Sequence, residues 1–490
     1  MIARVVIVGR DAALWLSALA LRRALGATGP EIQAIELPGL LQAPDIHPTL
    51  PALEAFHRLL GIDEHDLLKR TRGAFTLGQS FVNFSGPRPP FFHAYGSHGI
   101  ALGRVPFFQI LLRARQGGLT VPFEDFSLTG AAARQNRFVV PDSDTESFAR
   151  TDYGYHLPAR AYAAYLKDRT VASGITVMPA RAVTVERDAQ TGDVAAVHAG
   201  GSRIAGDLFI DASGAEAVLM RQVDVPFESW RPWFGFDRVL SVAGPRLKNL
   251  PPYAQIRAQA SSWLGLHAAQ NATHLIHIYN SAYLGDDQAL ASAGIVSGLA
   301  LGDGVVSPLE PGRTTHAWSG NCVAIGEAAC VFDPIDSVAL QAVQLGLVHL
   351  LALFPQGGDM TAERNEYNRL TGLGFTHLRD FQLTHSVCNR IDSRFWDLAR
   401  AVPVPESLQI RLDAFRARGL APLSDEDSFH ADSWHAVLLG HGVEPQSFEP
   451  MVETLRDEDV AQHLRRLLGH IRDQVQAMTS HDAYLEIFCA

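Results

Sequence analysis

Gly9 ends a β-branched run over residues 2–8 and is followed by Arg10-Asp11-Ala12-Ala13-Leu14 and good helix formers through residue 25. A buried strand, a tight turn and a helix in that order offer backbone N–H groups and a helix N-terminus to a diphosphate. Residues 31–36 read as the next strand, and Glu36 stands at its end, where an acid can hold ribose hydroxyls. Residues 203–210 read as a further strand, delivering Asp211-Ala212-Ser213-Gly214 to the same crevice as a carboxylate and a flexible turn. Residues 321–325 read as another, running into Gly326 ahead of a helix over 338–353, an arrangement suited to an anion. The chemistry in prospect is dinucleotide binding. The fingerprint is incomplete: of G-x-G-x-x-G only Gly9 is present, Asp11 would bring negative charge to a diphosphate, and Leu14 adds bulk at the helix–strand contact. Two readings stand, a working cofactor turn and a βαβ unit that no longer binds a nucleotide.

Other constellations exclude more than they offer. His274 and His277 lie three apart in an apolar strand, which points them to opposite faces, so no metal site is expected. His93 and His98 flank Tyr95-Gly96 in a predicted loop, as structural or substrate-facing groups. The cysteines Cys322, Cys330, Cys388 and Cys489 form no C-x-x-C pair and suggest neither zinc nor a disulfide framework, which suits a reducing cytoplasm. No G-x-S-x-G elbow supports nucleophilic catalysis. Arg456, Arg465, Arg466 and Arg472 fall in a C-terminal helical run and read as a solvated face.

The elements that must position these groups need a large core. The 490 residues correspond to three domain-equivalents at roughly 150 residues each. With 47% hydrophobic and 19% charged residues, the chain has ample material for a buried interior. A net charge of −11 with no basic run argues against nucleic acid as a partner. The apolar N-terminus is cut by Arg10 and Asp11, and the stretch 339–354 is shorter than a span and carries Gln341, Gln344 and His349, so no membrane partner is expected. Residues 181–186 and 194–198 predict a hairpin around Thr191-Gly192-Asp193.

Several ordered motifs resemble the flavin-dependent tryptophan halogenase family. Residues 53–84, LEAFHRLLGIDEHDLLKRTRGAFTLGQSFVNF, look like F-x-x-x-L-G-I-x-E followed by F-K-L-G-I-x-F. Residues 91–99, FFHAYGSHG, are similar to F-H-x-F-G-x-x-G, and 153–166, YGYHLPARAYAAYL, to Y-H-F-D-x-x-x-F-x-x-x-L. DLFIDASG at 207–214 resembles D-L-F-I-D-C-S-G, and GNCVAIGEAACVFDPIDS at 320–337 resembles G-N-C-V-A-I-G-L-A-x-x-F-x-E-P-L-E-S. Residues 378–396 resemble R-D-F-x-x-x-H-Y-x-x-x-x-R-x-D-S-x-F-W.

The resemblance implies an α/β fold: a flavin monooxygenase-like, Rossmann-type core, a substrate-side sheet layer and a helical C-terminal region. The core is expected over 1–350, discontinuous, with substrate-side segments at about 71–150 and 226–304, and the helical region over 351–490. It implies FAD as cofactor, with Gly9, Ala13, Glu36, Thr49, Asp211, Gly214 and Gly326 on the cofactor side. It also implies a separate flavin reductase and a small, indole-like aromatic substrate, and it allows a homodimer. In working members reduced flavin and oxygen generate hypohalous acid, which meets a lysine beside the substrate while a glutamate assists.

The departures fall on the chemistry. The family lysine corresponds to Thr76, which cannot carry a positive charge, and Lys69 lies seven positions earlier. The glutamate corresponds to Asp336, one methylene shorter. Ser337 is followed by Val338 and Ala339 where the family places T-G at its halide pocket. W-x-W-x-I-P is reduced to Trp263-Leu264-Gly265-Leu266-His267-Ala268, and the flavin strap G-V-G-E-[AS]-T-x-P keeps only Thr49 and Pro51 within PDIHPTLP. Three expectations follow: a flavoprotein homologue with a degenerate halogenating apparatus, a non-catalytic partner of an active relative, or a halogenase with a rewired proton donor.

Overall fold

The computed structural model describes every residue except 1, 142–144, 146, 147 and 149; all but the first of these fall in the segment expected at about 71–150 and lie outside the described residues. The chain divides into two compact units, each built from three separate stretches.

The first unit comprises Met1–Arg72, Leu157–Pro232 and Leu309–His377. Its β1 (Arg4–Gly9) and β2 (Glu31–Glu36) lie parallel, with Gly9 level with Glu36. Leu208–Ala212 pairs parallel on the other side of β1, and Cys322–Ala324 continues the sheet beyond it. Thr176–Pro179 closes the opposite side, parallel to β2, and Trp318–Ser319 adds an antiparallel edge. Such strands are covered on both faces, and β1 is accordingly buried from Val5 onward. Helix α1 (Asp11–Leu25) buries Leu14, Trp15, Leu16 and Leu21 and packs against helices Ala159–Ala172 and Ala339–Ala352. Strand order reverses between β1 and Leu208–Ala212, so a crevice forms beyond their carboxyl ends, the place where open α/β sheets bind ligands.

The expected single strand over 203–210 is two strands. Ser202–Ala205 joins an antiparallel sheet with Val183–Arg187 and Val194–Ala199, while Leu208–Ala212 enters the parallel sheet. The break has a physical cause: a Cβ at Gly206 would stand 2.8 Å from Val6 Cγ2, and the Asp207 carboxylate accepts from Ala3 N and Arg4 N at 2.7 and 2.9 Å.

The second unit comprises Gly73–His156, Trp233–Pro308 and Leu378–Ala490. Its seven-stranded sheet runs in the order Val305–Pro308, Arg238–Pro245, Ala272–Tyr279, Ser262–Ala268, Ala254–Ala258, Gly78–Val82, Phe91–Ala94. All neighbours are antiparallel except Ala254–Ala258 and Gly78–Val82. Val242, Leu264, Leu266, Leu275 and Ala293 form a buried apolar cluster. Ala74–Thr76 pairs antiparallel with Gly154–Pro158. Helices Arg394–Ala401, Glu406–Arg418, Ala431–Gly440, Asp457–Ala477 and His481–Phe488 complete the unit. His93 lies on the strand Phe91–Ala94 rather than in a loop, because two phenylalanines ahead of it supply buried β-formers. Arg456 precedes the helix Asp457–Ala477, and Arg465, Arg466 and Arg472 on it are exposed. Among the described residues no helix is long and apolar enough to cross a membrane.

Candidate functional site

In the first unit Gly9, Ala13, Glu36, Asp211, Gly214 and Gly326, expected on the cofactor side, lie at the carboxyl end of the parallel sheet. A Cβ at Gly9 would stand 2.6 Å from the Ala212 carbonyl oxygen, so only glycine lets the two strands close here. Arg10 is buried, and its guanidinium binds Glu216 at 2.7 Å. Asp11 takes φ +53°, the left-handed conformation that a second fingerprint glycine supplies without strain. Its carboxylate accepts from Leu40 N at 3.2 Å, facing the segment that follows β2 instead of standing free in the turn. Burial pushes the Asp11 carboxyl upward, and Asp45 and Glu36 add repulsion. The first N–H groups of α1 have no intrahelical acceptor, and no side chain caps them.

Glu36 is held at both carboxylate oxygens by Lys167 Nζ, 2.7 Å from each, and that ammonium lies 5.6 Å from the centre of the Trp15 ring. Beside Glu36 opens a cleft of about 300 Å³ lined by Leu37, Pro38, Gly39, Pro179, Ala180 and Arg181. Asp211 is buried and organises the following turn: it accepts from the Ser213 hydroxyl and from the backbone N–H of Ser213, Leu219 and Met220. Gly214 and Gly326 both have positive φ, and a Cβ at Gly326 would meet Val343 Cγ2 at 2.7 Å and approach Ala13 at 3.9 Å. Glu327, where the family motif has leucine, is exposed, with its carboxylate beside Gly214. The surrounding protein still desolvates its carboxyl and pushes it upward, with Asp11 and Asp45 adding repulsion. Thr49 is buried at the end of the 44–51 strap, just before helix Ala52–Leu59.

Asp336 is buried at the end of a short turn, Pro334–Asp336, capped by the Asp333 carboxylate, which accepts from Ile335 N at 3.0 Å. Ser337 takes φ +62°, Val338 is buried at the cap of the next helix, and half-buried Ala339 begins it.

A dinucleotide meets a divided surface here. At the adenosine end Glu36 stands beside the cleft of about 300 Å³, with both its oxygens held by Lys167. The diphosphate end has the helix N-terminus but also Asp11, Asp45 and Glu327, which repel an anion when ionised.

In the second unit, Thr76 is buried, and its hydroxyl donates to the Gly78 carbonyl at 3.3 Å. Lys69 belongs to the helix Glu64–Thr71 of the first unit. Trp263 is buried on the strand Ser262–Ala268, with its Nε1 unpartnered. His267 Nε2 lies 2.8 Å from the point where a Cβ on Gly265 would stand. The imidazole thus covers the position whose indole the sequence lacks. Among the described residues no three of His, Cys, Asp or Glu stand close enough to hold a metal ion.

Sequence reasoning missed Lys167, which is 131 positions from Glu36 with no local signal joining them. It passed over Glu327 and His267, although an acid for leucine and a histidine for isoleucine were both readable against the motifs.

A parallel sheet, its switch-point crevice and a second mixed-sheet unit define the class as a Rossmann-type α/β fold of the flavin-dependent oxidoreductase kind. The tryptophan halogenase family profile matches residues 4–457, and the chain belongs to that family. BrvH, a flavin-dependent halogenase from Brevundimonas sp. BAL3, superposes with a TM-score of 0.93 at 28% identity, over 100% of both chains. Xcc4156, a flavin-dependent halogenase from Xanthomonas campestris, gives 0.93 and 28%, over 100% of this chain and 99% of that one. Tryptophan 7-halogenase RebH of Lentzea aerocolonigenes is 24% identical, covering 96% of this chain and 95% of the relative.

Proposed function

We propose that this chain is an FAD-dependent, tryptophan-halogenase-like oxidoreductase scaffold that binds an indole-like aromatic and has lost standard halogenation. What supports the reading is Thr76, a buried hydroxyl bonded to a carbonyl at the position that the motif resemblance gives to the family lysine. A hydroxyl has neither the charge nor the acidity to hold or activate an electrophilic oxidant near neutral pH. FAD is the implied cofactor and supplies redox chemistry when bound. Glu36 would hold its ribose, the N-terminus of α1 its diphosphate, and Gly214 and Gly326 would let backbone approach it. Asp336 corresponds to the family glutamate, one methylene shorter. The reduced flavin would come from a separate reductase, and the assembly in solution and a cytoplasmic setting belong to the same proposal.

The test supplies FAD, a flavin reductase, NADH, bromide and a panel of indoles. Wild type is expected to give little brominated product, and Thr76→Lys at least tenfold more. Efficient bromination by wild type, unchanged by Thr76→Lys, would sink the reading and favour a rewired donor. The reading of a non-catalytic partner draws on Asp11, Asp45 and Glu327, which oppose the diphosphate; it predicts no binding of oxidised or reduced FAD.

A further inference from the structure

In the second unit, the register of Ala74–Thr76 against residues 154–156 sets Ala74 opposite His156 and Thr76 opposite Gly154. Opposed and alternate residues of an antiparallel pair share a face, so Thr76 and His156 are diagonal neighbours on one side. Gly154 leaves no side chain opposite Thr76. His156 is buried and bonds the Ala268 carbonyl through Nδ1 at 3.0 Å. A carbonyl only accepts, so the proton sits on Nδ1, and Nε2 is a bare acceptor with no partner.

The ring of His267 stands perpendicular to that of His156 with centroids 5.1 Å apart. Neither nitrogen of His267 has a partner, although the residue is buried. On the same face, beyond Gly265, Trp263 Nε1 is also unpartnered. Burial holds His156 down to about 4 and His267 well below its ordinary value, with His274 and His481 opposing a charge on His156, so both rings are neutral near pH 7. A neutral His267 has one N–H donor and one acceptor. Buried polar groups left unbonded are costly, and in native interiors such groups are normally met by water or a ligand.

We propose that His156 and His267, with Trp263 beside them, form a site on the face of Thr76 for a hydroxyl group. The hydroxyl donates to His156 Nε2 and accepts from the N–H of His267. Water supplies it in the empty protein, and a phenolic hydroxyl supplies it when an aromatic ligand is bound. Only the second source rests on the functional reading above, under which the chain binds an aromatic. Removal of the second indole at Gly265 and its replacement by His267 would then be one change: an apolar wall became a hydrogen-bonding one.

Two arms on the full-length protein separate the sources. The first is a high-resolution structure of wild type without flavin or aromatic, with melting temperatures of His267→Leu and His267→Gln. Expected are one ordered water within hydrogen-bonding distance of both histidines, a lower melting temperature for His267→Leu, and a near-native one for His267→Gln. A dry site with His267→Leu raising the melting temperature overturns the proposal, because leucine would then merely relieve unbonded nitrogens. The second arm compares binding of phenol and toluene by saturation-transfer NMR in wild type and His156→Gln. A preference for phenol of at least fivefold, lost in His156→Gln, supports the ligand hydroxyl. An ordered water without phenol preference supports water as occupant and overturns the phenolic one. Absence of any aromatic binding fails the functional reading, while the first arm still decides the site.

Discussion

Asp11 shows how one side chain can keep a turn and change its chemistry. It holds the left-handed conformation at φ +53° that the fingerprint assigns to glycine, and secures it by accepting from Leu40 N. Asn and Asp tolerate this region better than other residues, which is why the turn survives the substitution. The consequence is electrostatic. Asp11 and Glu327 have carboxyls raised by desolvation, with Asp45 repelling both, so a fall in pH neutralises them earlier than ordinary acids and removes negative charge from the crevice. FAD should therefore bind more tightly at pH 5.5 than at pH 8, and Asp11→Gly should tighten binding at pH 8 by about tenfold, the equivalent of ~1.4 kcal/mol. Flavin fluorescence quenching measures both. Identical affinities at the two pH values would show that the acids do not face the diphosphate.

Elements close on one another through positions that admit no side chain. β1 and Leu208–Ala212 approach so tightly at Gly9 that an added Cβ would stand 2.6 Å from a backbone oxygen. Backbone cannot swing aside as a flexible side chain would. Gly9→Ala should cost more than about 2 kcal/mol, read as a lowered midpoint in chemical denaturation. A midpoint within error of wild type would mean that the sheet yields at its switch point. The same logic explains how the strand expected over 203–210 became two. Gly206 and Asp207 interrupt it, one because Val6 leaves no room for a side chain and the other because its carboxylate binds the start of β1. The hydrophobic pattern runs through both segments, and the break depends on partners some 200 residues away.

For the molecule, the buried histidines set a stability profile. Burial lowers His47, His98, His156, His277 and His481 to about 4 and His57 and His93 to about 3. In the unfolded chain each titrates near 6.5, so below that pH the unfolded state binds more protons and stability falls. The contribution is complete above about pH 6.5 and is lost as pH drops toward the folded values, by up to ~1.4 kcal/mol per histidine per pH unit. The melting temperature is expected to be level between pH 7 and 8 and to fall steeply from pH 6.5 to 5. A flat profile to pH 5 would show that these rings are hydrated or already protonated in the folded state.

The residues by themselves determined the family, the βαβ opening, the acid at the end of β2 and a threonine, Thr76, where the motif resemblance expects a lysine. These are local patterns, carried by strand periodicity, by turn glycines and by motifs a few residues long. Only the tertiary structure decided what the remaining groups touch. Lys167 reaches Glu36 from a helix far along the chain, Asp211 spends its oxygens on the turn after its own strand, and Asp11 turns toward Leu40. It was also the fold that laid His267 over Gly265 and set His156 on the face of Thr76. A hydrogen bond or a desolvated charge depends on distance in space, and strand register across more than a hundred residues fixes that distance.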